Sequence, residues 1–171
     1  QDDYFRYKEQ IYALYADYSR EYSERFSMQL GLRMEHTRTT GISEAKDTED
    51  KHDYTRLFPT VYLLYSPTDG HALNFSFSNR ISRPSQNMVN PFPFYQNKYT
   101  YACGREDLKP SYTYNAELGY TLKNNFNVSA YYSYSDDVFF QVVDLDAETN
   151  VTSFLWENFM KTHAFGLNNS Y

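Results

Sequence analysis

The most informative absences in this chain are those of long apolar runs and of cysteine pairs. Its apolar runs are only a few residues long, which excludes a membrane-spanning helix and a signal peptide with an apolar core. Cys103 is the single cysteine, so neither an intramolecular disulfide nor a cysteine-based metal cluster can form within the chain. Glycine and proline are also few, at 6 each, which argues against disorder.

Basic stripes and catalytic motifs are missing as well. The formal charge of −6 is spread along the chain without a basic stripe that could neutralise phosphates, so no nucleic acid partner is expected. The four histidines have no metal-ligand spacing, and neither a glycine-rich phosphate loop nor a G-x-S-x-G elbow occurs. We therefore expect no metal site, no cofactor and no catalysis by this chain.

Aromatic residues are abundant and follow a strand-like pattern. The chain has 19 Tyr and 13 Phe, residues that favour pleated strands. Between Phe26 and Met34, apolar and polar residues alternate almost without fault, and the pattern returns in Tyr112 to Leu122 and in Phe126 to Tyr134. Such strands lie between an apolar and a polar environment, which is either a folded core or lipid on the apolar side.

Seven candidate strands follow from this periodicity and from the turn residues between them. They are Tyr7 to Tyr18, Phe26 to Thr37, Tyr54 to Tyr65, Ala72 to Arg80, Ser111 to Leu122, Phe126 to Val143, and His163 to Tyr171. The first also fits a helical stripe, so residues 1–22 could be an amphipathic helix instead. That stripe consists of Tyr4, Tyr7, Ile11, Leu14, Tyr18 and Tyr22.

The connections between these strands alternate between short and long. Residues 38–53 and 81–110 form the long loops, and the intervening connections are short turns. In an up-and-down meander the short turns share one end of the sheet, as in outer-membrane barrels with short periplasmic turns and long extracellular loops. Seven strands are too few for a closed bacterial barrel, which starts at about 8. The prediction is an all-β fold: an antiparallel up-and-down meander forming a partial segment of a large outer-membrane β-barrel.

An ordered series of short motifs adds a resemblance to a known family. The series comprises Arg80-Ile81-Ser82-Arg83-Pro84-Ser85, Asn90-Pro91-Phe92 and the stretch from Leu108 to Tyr120, with Gly31 to Thr37 and Leu57 to Pro59 upstream and Ala164 to Asn168 downstream. It resembles the barrel of TonB-dependent outer-membrane receptors, especially the outer-membrane β-barrel family abundant in Bacteroidetes. The chain departs from the family pattern at Gly104 to Asp107, where the family usually reads G-N-P.

The resemblance implies a location in the Gram-negative outer membrane and uptake of a large nutrient, such as a glycan, a peptide or an iron chelate. Residues 1–171 would form a single β-barrel segment without a plug domain. Membrane lipid would be a partner of the parent protein, and the plug domain and TonB would be reached through parts that this segment lacks. The alternative is a soluble all-β carbohydrate-binding module that uses exposed tyrosines and Trp156 as stacking platforms.

A polar set on the predicted lumen-facing side supplies the candidate site residues. Arg33 and Glu35 lie on one strand, and Asn115 and Glu117 lie on another. We expect them mainly to pair across strands, and we regard them as weak candidates for ligand binding. The apolar stripe from Phe26 to Leu32 cannot stay exposed in water, so the isolated chain should either fold into two layers or self-associate through its edges.

Overall fold

The computed structural model describes residues 5–43, 48–123 and 125–171, which together form one continuous nine-stranded sheet. The sheet curls into a partial barrel. Its elements are β1 (Phe5–Ser23), β2 (Phe26–Ser43), β3 (Thr48–Tyr65), β4 (His71–Ser82), α1 (Gln86–Val89), β5 (Phe94–Asn97), β6 (Thr100–Cys103), β7 (Ser111–Leu122), β8 (Phe126–Asp146) and β9 (Val151–Ser170). No helix in the described ranges is long and apolar enough to cross a membrane.

The seven long strands form the predicted meander. Their order in the sheet is β1-β2-β3-β4-β7-β8-β9, and each is antiparallel to the next. Each corresponds to one of the seven candidate strands, so the prediction of an all-β partial barrel is confirmed. β1 is a strand rather than a helix over its described length, because its backbone pairs with β2 from Phe5 to Ser23. Tyr4, part of the competing helical stripe, lies outside the described residues.

The structure adds two short strands and one parallel pairing to the predicted antiparallel meander. The predicted long loop 81–110 contains α1 and the hairpin of β5 and β6, and β6 pairs in parallel with β9. Each hairpin strand has only four residues, which is too short to give a readable alternation. The pairing of β6 with β9 stabilises the hairpin, whose own sequence shows no strand pattern.

Several strands are longer than their sequence patterns predict. β2 runs to Ser43, β3 begins at Thr48, and β9 begins at Val151 rather than at His163. Much of the predicted loop 38–53 is therefore paired strand; residues 44–47 lie outside the described part. Polar residues on both faces hide the extensions of β2 and β3, and consecutive apolar residues such as Phe154, Leu155 and Trp156 break the alternation in β9, whereas the backbone ladder continues regardless of side-chain polarity. Asn124, in the short connection between β7 and β8, also lies outside the described residues.

One face of the sheet is apolar across all seven long strands. Residues paired side by side form rows across the sheet, and the middle rows of this face contain almost only apolar side chains. One such row is Tyr18, Leu30, Val61, Phe77, Ala116, Tyr132 and Phe165. No described residue covers this face, hereafter the apolar face: Leu14 is 66% exposed and Phe165 is 84% exposed.

The opposite face, hereafter the polar face, contains the predicted lumen-facing residues. Its rows include Asp17, Gly31, Thr60, Ser78, Asn115, Ser133 and Ala164, and next to it Ser19, Gln29, Tyr62, Ser76, Glu117, Tyr131 and Gly166. Among the described residues few apolar side chains are buried, namely Phe58, Pro84, Val89 and Leu108. The chain thus lacks, in its described part, the two-layer core that a soluble domain requires.

The height of the apolar face matches a membrane. Its aromatic limits are the row of Phe26 and Tyr65 at the end with the short turns, and the row of Tyr12 and His36 at the other end. Ten residue steps along β2 separate these rows, or about 33 Å at 3.3 Å per residue. A strand tilt of about 40° reduces this to about 25 Å, the height of the apolar band in outer-membrane barrels.

Candidate outer-membrane barrel site

The segment between β4 and β7, residues 83–110, folds back across the polar face, and we call it the strap. Its first residue, Arg83, reaches the first two strands of the sheet. Near its last residues, Lys109 is bonded to β9, close to the far edge of the sheet. The strap therefore bridges the curled sheet at the end opposite the short turns.

Arg83 anchors the start of the strap. Its Nη2 donates hydrogen bonds to Glu35 Oε2 at 2.6 Å and to Thr37 Oγ1 at 3.2 Å. Its Nε lies 3.5 Å from Glu9 Oε1. Glu35 and Thr37 are buried, at 6% and 0% exposure. Burial, the largest single influence, would lower the pKa of Arg83, but the hydrogen bond to Glu35, the interactions with Tyr54 and the charge of Glu35 together outweigh it and the pKa is raised.

Arg33 joins the same ion-pair network. Its Nε lies 3.2 Å from Glu35 Oε1, and its guanidinium lies over the ring of Phe58, 4.8 Å from the centroid. Glu35 is thus held between two arginines, one from its own strand and one from the strap. Arg33 and Glu35 thus pair along their own strand rather than across strands, and Glu35 also pairs with the strap.

The far end of the strap is fixed mainly by one asparagine on β9. Asn158 Nδ2 donates to the carbonyl oxygens of Lys109 and Asp137 at 3.0 and 2.7 Å, and its Oδ1 accepts from Lys109 N at 2.8 Å. Arg105 adds an ion pair to Glu157 at 3.3 Å. The same guanidinium donates to both carboxylate oxygens of Asp107 and holds the pKa of that carboxyl below its usual value.

A cavity of about 190 Å³ lies between the strap and the polar face. The guanidinium of Arg56 lies over the ring of Tyr112, 5.1 Å from its centroid. Aromatic faces beside guanidinium donors suit polar ring compounds such as sugars and carboxylate-bearing molecules. The side chains that give the cavity its character are Tyr7, Tyr54, Arg56, Arg83, Lys109 and Tyr112.

The four predicted site residues share the polar face but fall into two groups. Asn115 and Glu117 line a shallow concavity of about 400 Å³ together with Arg80. Arg33 lines a neighbouring concavity of about 460 Å³, which also includes Arg80. Glu35 is enclosed beneath the strap. The sequence predicted that these residues lie on one face of the sheet. It did not predict that they line two separate concavities.

Sequence reasoning missed the residues that build the cavity under the strap. Arg83 follows β4 directly and belongs to the motif that carried the family resemblance, yet its partner Glu35 is 48 residues away. Arg56 and Tyr112 are likewise separated by most of two strands and the strap. The only available signal for Arg83 was the motif Arg83-Pro84-Ser85.

In the described ranges, no group of three or more His, Cys, Asp or Glu residues could hold a metal ion.

An uncovered apolar face of membrane height and a polar opposite face, on a meander of seven long antiparallel strands, define the wall of an outer-membrane β-barrel. A profile of the outer membrane protein beta-barrel family matches residues 1–171, and the chain belongs to this family. The family places the chain in the Gram-negative outer membrane. The assignment to Bacteroidetes stays a prediction.

Three solved structures illustrate the likeness. The hemophore receptor HasR of Serratia marcescens is 14% identical with a TM-score of 0.71, over 94% of this chain and 31% of that one. The ferric enterobactin receptor PfeA of Pseudomonas aeruginosa is 17% identical with a TM-score of 0.69, over 94% and 24%. The copper transporter OprC is 14% identical with a TM-score of 0.68, over 94% and 26%. This chain therefore spans a quarter to a third of these proteins.

These three proteins share the fold but bind or transport different compounds, namely heme, ferric enterobactin and copper. The fold alone does not specify a cargo. No protein with a curated description matches the sequence.

Proposed function

We propose that this chain is part of the barrel wall of an outer-membrane receptor that takes up a large nutrient, such as a glycan, a peptide or an iron chelate, and that it performs no catalysis. The observation that carries the proposal is the uncovered apolar face, about 25 Å high, behind a polar face that holds the strap. A soluble carbohydrate-binding module would have to bury that face.

The free edges of the sheet support a larger barrel. β1 lies at one edge, and β9 beyond Leu155 has β8 as its only partner strand among the described residues. Unpaired backbone groups at membrane depth are costly, so further strands must close both edges in lipid. In this proposal residues 1–171 are one barrel segment, and the plug domain and the contact with TonB come from other parts of the protein.

The proposal also orients the segment. The apolar face contacts lipid, the polar face lines the lumen, and the short turns face the periplasm. The strap and its cavity then lie at the extracellular end, where a nutrient arrives. Arg33 and Glu35 brace the strap, whereas Asn115 and Glu117 present polar groups to the lumen, where they can contact cargo or plug.

An uptake assay in living cells tests the proposal. A strain without the gene for the whole protein is compared with the same strain complemented by the wild-type gene, using a panel of heme, ferric chelates, oligosaccharides and peptides. We expect uptake of one class only after complementation, and loss of that uptake when TonB is removed. Equal uptake of every class by the deletion strain and the complemented strain would refute the proposal.

A second variant addresses the predicted lumen residues. In the complemented strain, Asn115→Ala with Glu117→Ala should raise the cargo concentration needed for half-maximal uptake, with normal amounts of protein in the membrane. An unchanged concentration dependence would remove Asn115 and Glu117 from the binding site while leaving the receptor proposal intact.

A further inference from the structure

Two cationic side chains of the cavity under the strap have no acidic partner. Arg56 lies on the polar face of β3, opposite Glu35 in the register, and Lys109 lies near the end of the strap. Within the described part of the chain, neither Arg56 nor Lys109 forms an ion pair with a carboxylate. Both side chains are exposed. A molecule between the strap and the sheet therefore meets a positive charge on each wall of the cavity.

The acidic groups nearest to these two cations are already engaged. Glu35, next to Arg56, is held by two other arginines. Asp107 is close enough to Lys109 to feel its charge, but both of its carboxylate oxygens accept hydrogen bonds from Arg105. The charges of Arg56 and Lys109 are therefore available to a ligand.

The charged groups around the cavity leave a single positive charge in excess at pH 7, where histidine is neutral. Glu9 belongs to the ion-pair network of Arg83, and the two glutamates of that network balance its two arginines. The remaining acidic residue of the lining is Asp137, which stands against both Arg56 and Lys109. One carboxylate on a ligand would compensate this excess.

The backbone of Lys109 is fixed from both sides. Asn158 Oδ1 accepts from Lys109 N at 2.8 Å, and Asn158 Nδ2 donates to the carbonyl oxygen of Lys109 at 3.0 Å. The stem of this lysine thus starts from a defined point at the cavity. A binding group placed in advance loses less conformational entropy when the ligand arrives.

Tyrosine rings and a small volume define what else the cavity can take. Tyr54 and Tyr112 are half-buried and line it, and the Arg56 guanidinium lies 5.1 Å from the centroid of the Tyr112 ring. Such rings offer flat apolar contact area beside polar groups. Drug-sized ligands occupy pockets of about 300–1,000 Å³. A cavity of about 190 Å³ therefore admits one ring of a large nutrient rather than the whole.

We propose that the cavity binds one carboxylate-bearing sugar residue of the nutrient, a residue of the uronic acid class. The inference rests on the proposed function and narrows the cargo to an acidic glycan. Arg56 and Lys109 bind the sugar carboxylate through charge-assisted hydrogen bonds. The carboxylate of Asp137 accepts hydrogen bonds from sugar hydroxyls, and a tyrosine ring contacts the C–H groups of the pyranose.

Isothermal titration calorimetry of the full-length protein in detergent tests the proposal. The probes are oligosaccharides that contain galacturonate, glucuronate, mannuronate or guluronate, each compared with its carboxyl-reduced form, which keeps the ring and loses the charge. We expect at least one of the four to bind at least tenfold more tightly than its reduced form, because hydrogen bonds to charged groups are stronger than neutral ones.

Variants of the two cations separate charge recognition from damage to the fold. Because two cations share the carboxylate, Arg56→Gln and Lys109→Gln should each lower the preference for the acidic form about threefold. Binding of the reduced form should stay unchanged, whereas a damaged fold would weaken both. Lys109→Arg keeps the charge and should keep the preference. Lys98→Gln removes an exposed lysine of the strap outside the cavity and should also keep it.

A peptide comparison tests the requirement for a sugar ring. Trialanine carries one free carboxylate without a pyranose and should bind at least tenfold more weakly than the best uronate oligosaccharide. Equal affinity for trialanine, or an unchanged preference in both glutamine variants, would overturn the proposal.

The outcome also distinguishes this inference from the proposed function. Wild-type protein that supports uptake of one cargo class in cells, yet binds no uronate oligosaccharide more tightly than its reduced form, refutes only the assignment of the cavity. Absence of uptake of every class refutes the proposed function itself.

Discussion

At the scale of single residues, Arg83 joins parts of the chain that the sequence keeps far apart. Its guanidinium brings the strap to two carboxylates on β1 and β2, and one of them, Glu35, is buried. A buried charge that loses its partner is costly, because the remaining group stays desolvated without compensation. The network formed by Arg83 and Glu35 therefore controls how firmly the strap is attached.

Glu35→Gln tests this attachment. The substitution keeps the size of the side chain but leaves the half-buried Arg83 with only Glu9 as a charged partner, at 3.5 Å. We expect the free energy of unfolding of the full-length protein in detergent to fall by about 1–3 kcal/mol. The measurement is urea-induced unfolding followed by tryptophan fluorescence.

Glu117→Gln is the matched control, since Glu117 is exposed on the same polar face. Its effect on unfolding should stay within about 0.5 kcal/mol. Equal stability of the two variants would contradict a bracing role for Glu35.

The alternation of apolar and polar residues along β2 could place Arg33 and Glu35 on the polar side, because every second side chain of a strand points to the same face. It could not find the third member of the network. Arg83 lies in the strap, which has no period, and its contact with Glu35 depends on how the chain returns across three strands. Long-range contacts of this kind leave no local trace in a single sequence.

At the scale of elements, the strap is the part of the fold that sequence reasoning described least well. It was predicted as one long loop, whereas it contains a helical turn, a hairpin and a parallel pairing with β9. The strands around it were predictable because each offers one face to an apolar environment and one to a polar environment. The strap lies against polar groups, so its sequence does not have to alternate between apolar and polar residues.

Asn158→Ala should loosen the far end of the strap. The change removes three hydrogen bonds that join β9 to Lys109 and Asp137. At about 1 kcal/mol for each bond, detachment of this end should become at least tenfold more frequent. Limited trypsin digestion at Lys98, in the exposed turn between β5 and β6, measures that opening.

Asn169→Ala, near the end of the same strand, provides the comparison and should leave the cleavage rate at Lys98 unchanged. A cleavage rate in Asn158→Ala equal to that of the wild type would show that the pairing of β6 and the ion pair between Arg105 and Glu157 hold the strap on β9 without Asn158.

At the scale of the whole molecule, the two faces of the sheet were the most predictable feature. Alternation in Phe26 to Met34 indicated two unlike environments, and the register extends the apolar rows across all seven long strands. The curl of the sheet and its open edges depend on pairing between distant strands. They could be expected from the family resemblance but not from any one strand.

Leu30→Arg tests the lipid contact of the apolar face. Leu30 lies near the middle of the apolar height, so an arginine there should cost about 2–4 kcal/mol in the folded barrel. We expect less heat-modifiable barrel in outer-membrane fractions on gels. Gln29→Arg places the same residue on the adjacent polar face and should be tolerated, and equal loss of barrel in both variants would contradict the assignment of the faces.

The isolated 171-residue chain should not remain a monomer in plain buffer. Its apolar face is uncovered, and its edge strands offer unpaired backbone groups to other copies. Sedimentation velocity should show oligomers or aggregates that detergent above its micelle concentration reduces. A monodisperse monomer without detergent would contradict this expectation.

The parallel contact between β6 and β9 also sets an order of events during folding. Tyr101 pairs with Ser153, so the contact links segments about 50 residues apart and depends on the β8–β9 hairpin being in place. Contacts between distant segments carry a larger loop-closure entropy cost than hairpins and form more slowly. The seven-stranded wall therefore assembles first and the strap closes last, so the cavity beneath it exists only in a finished wall.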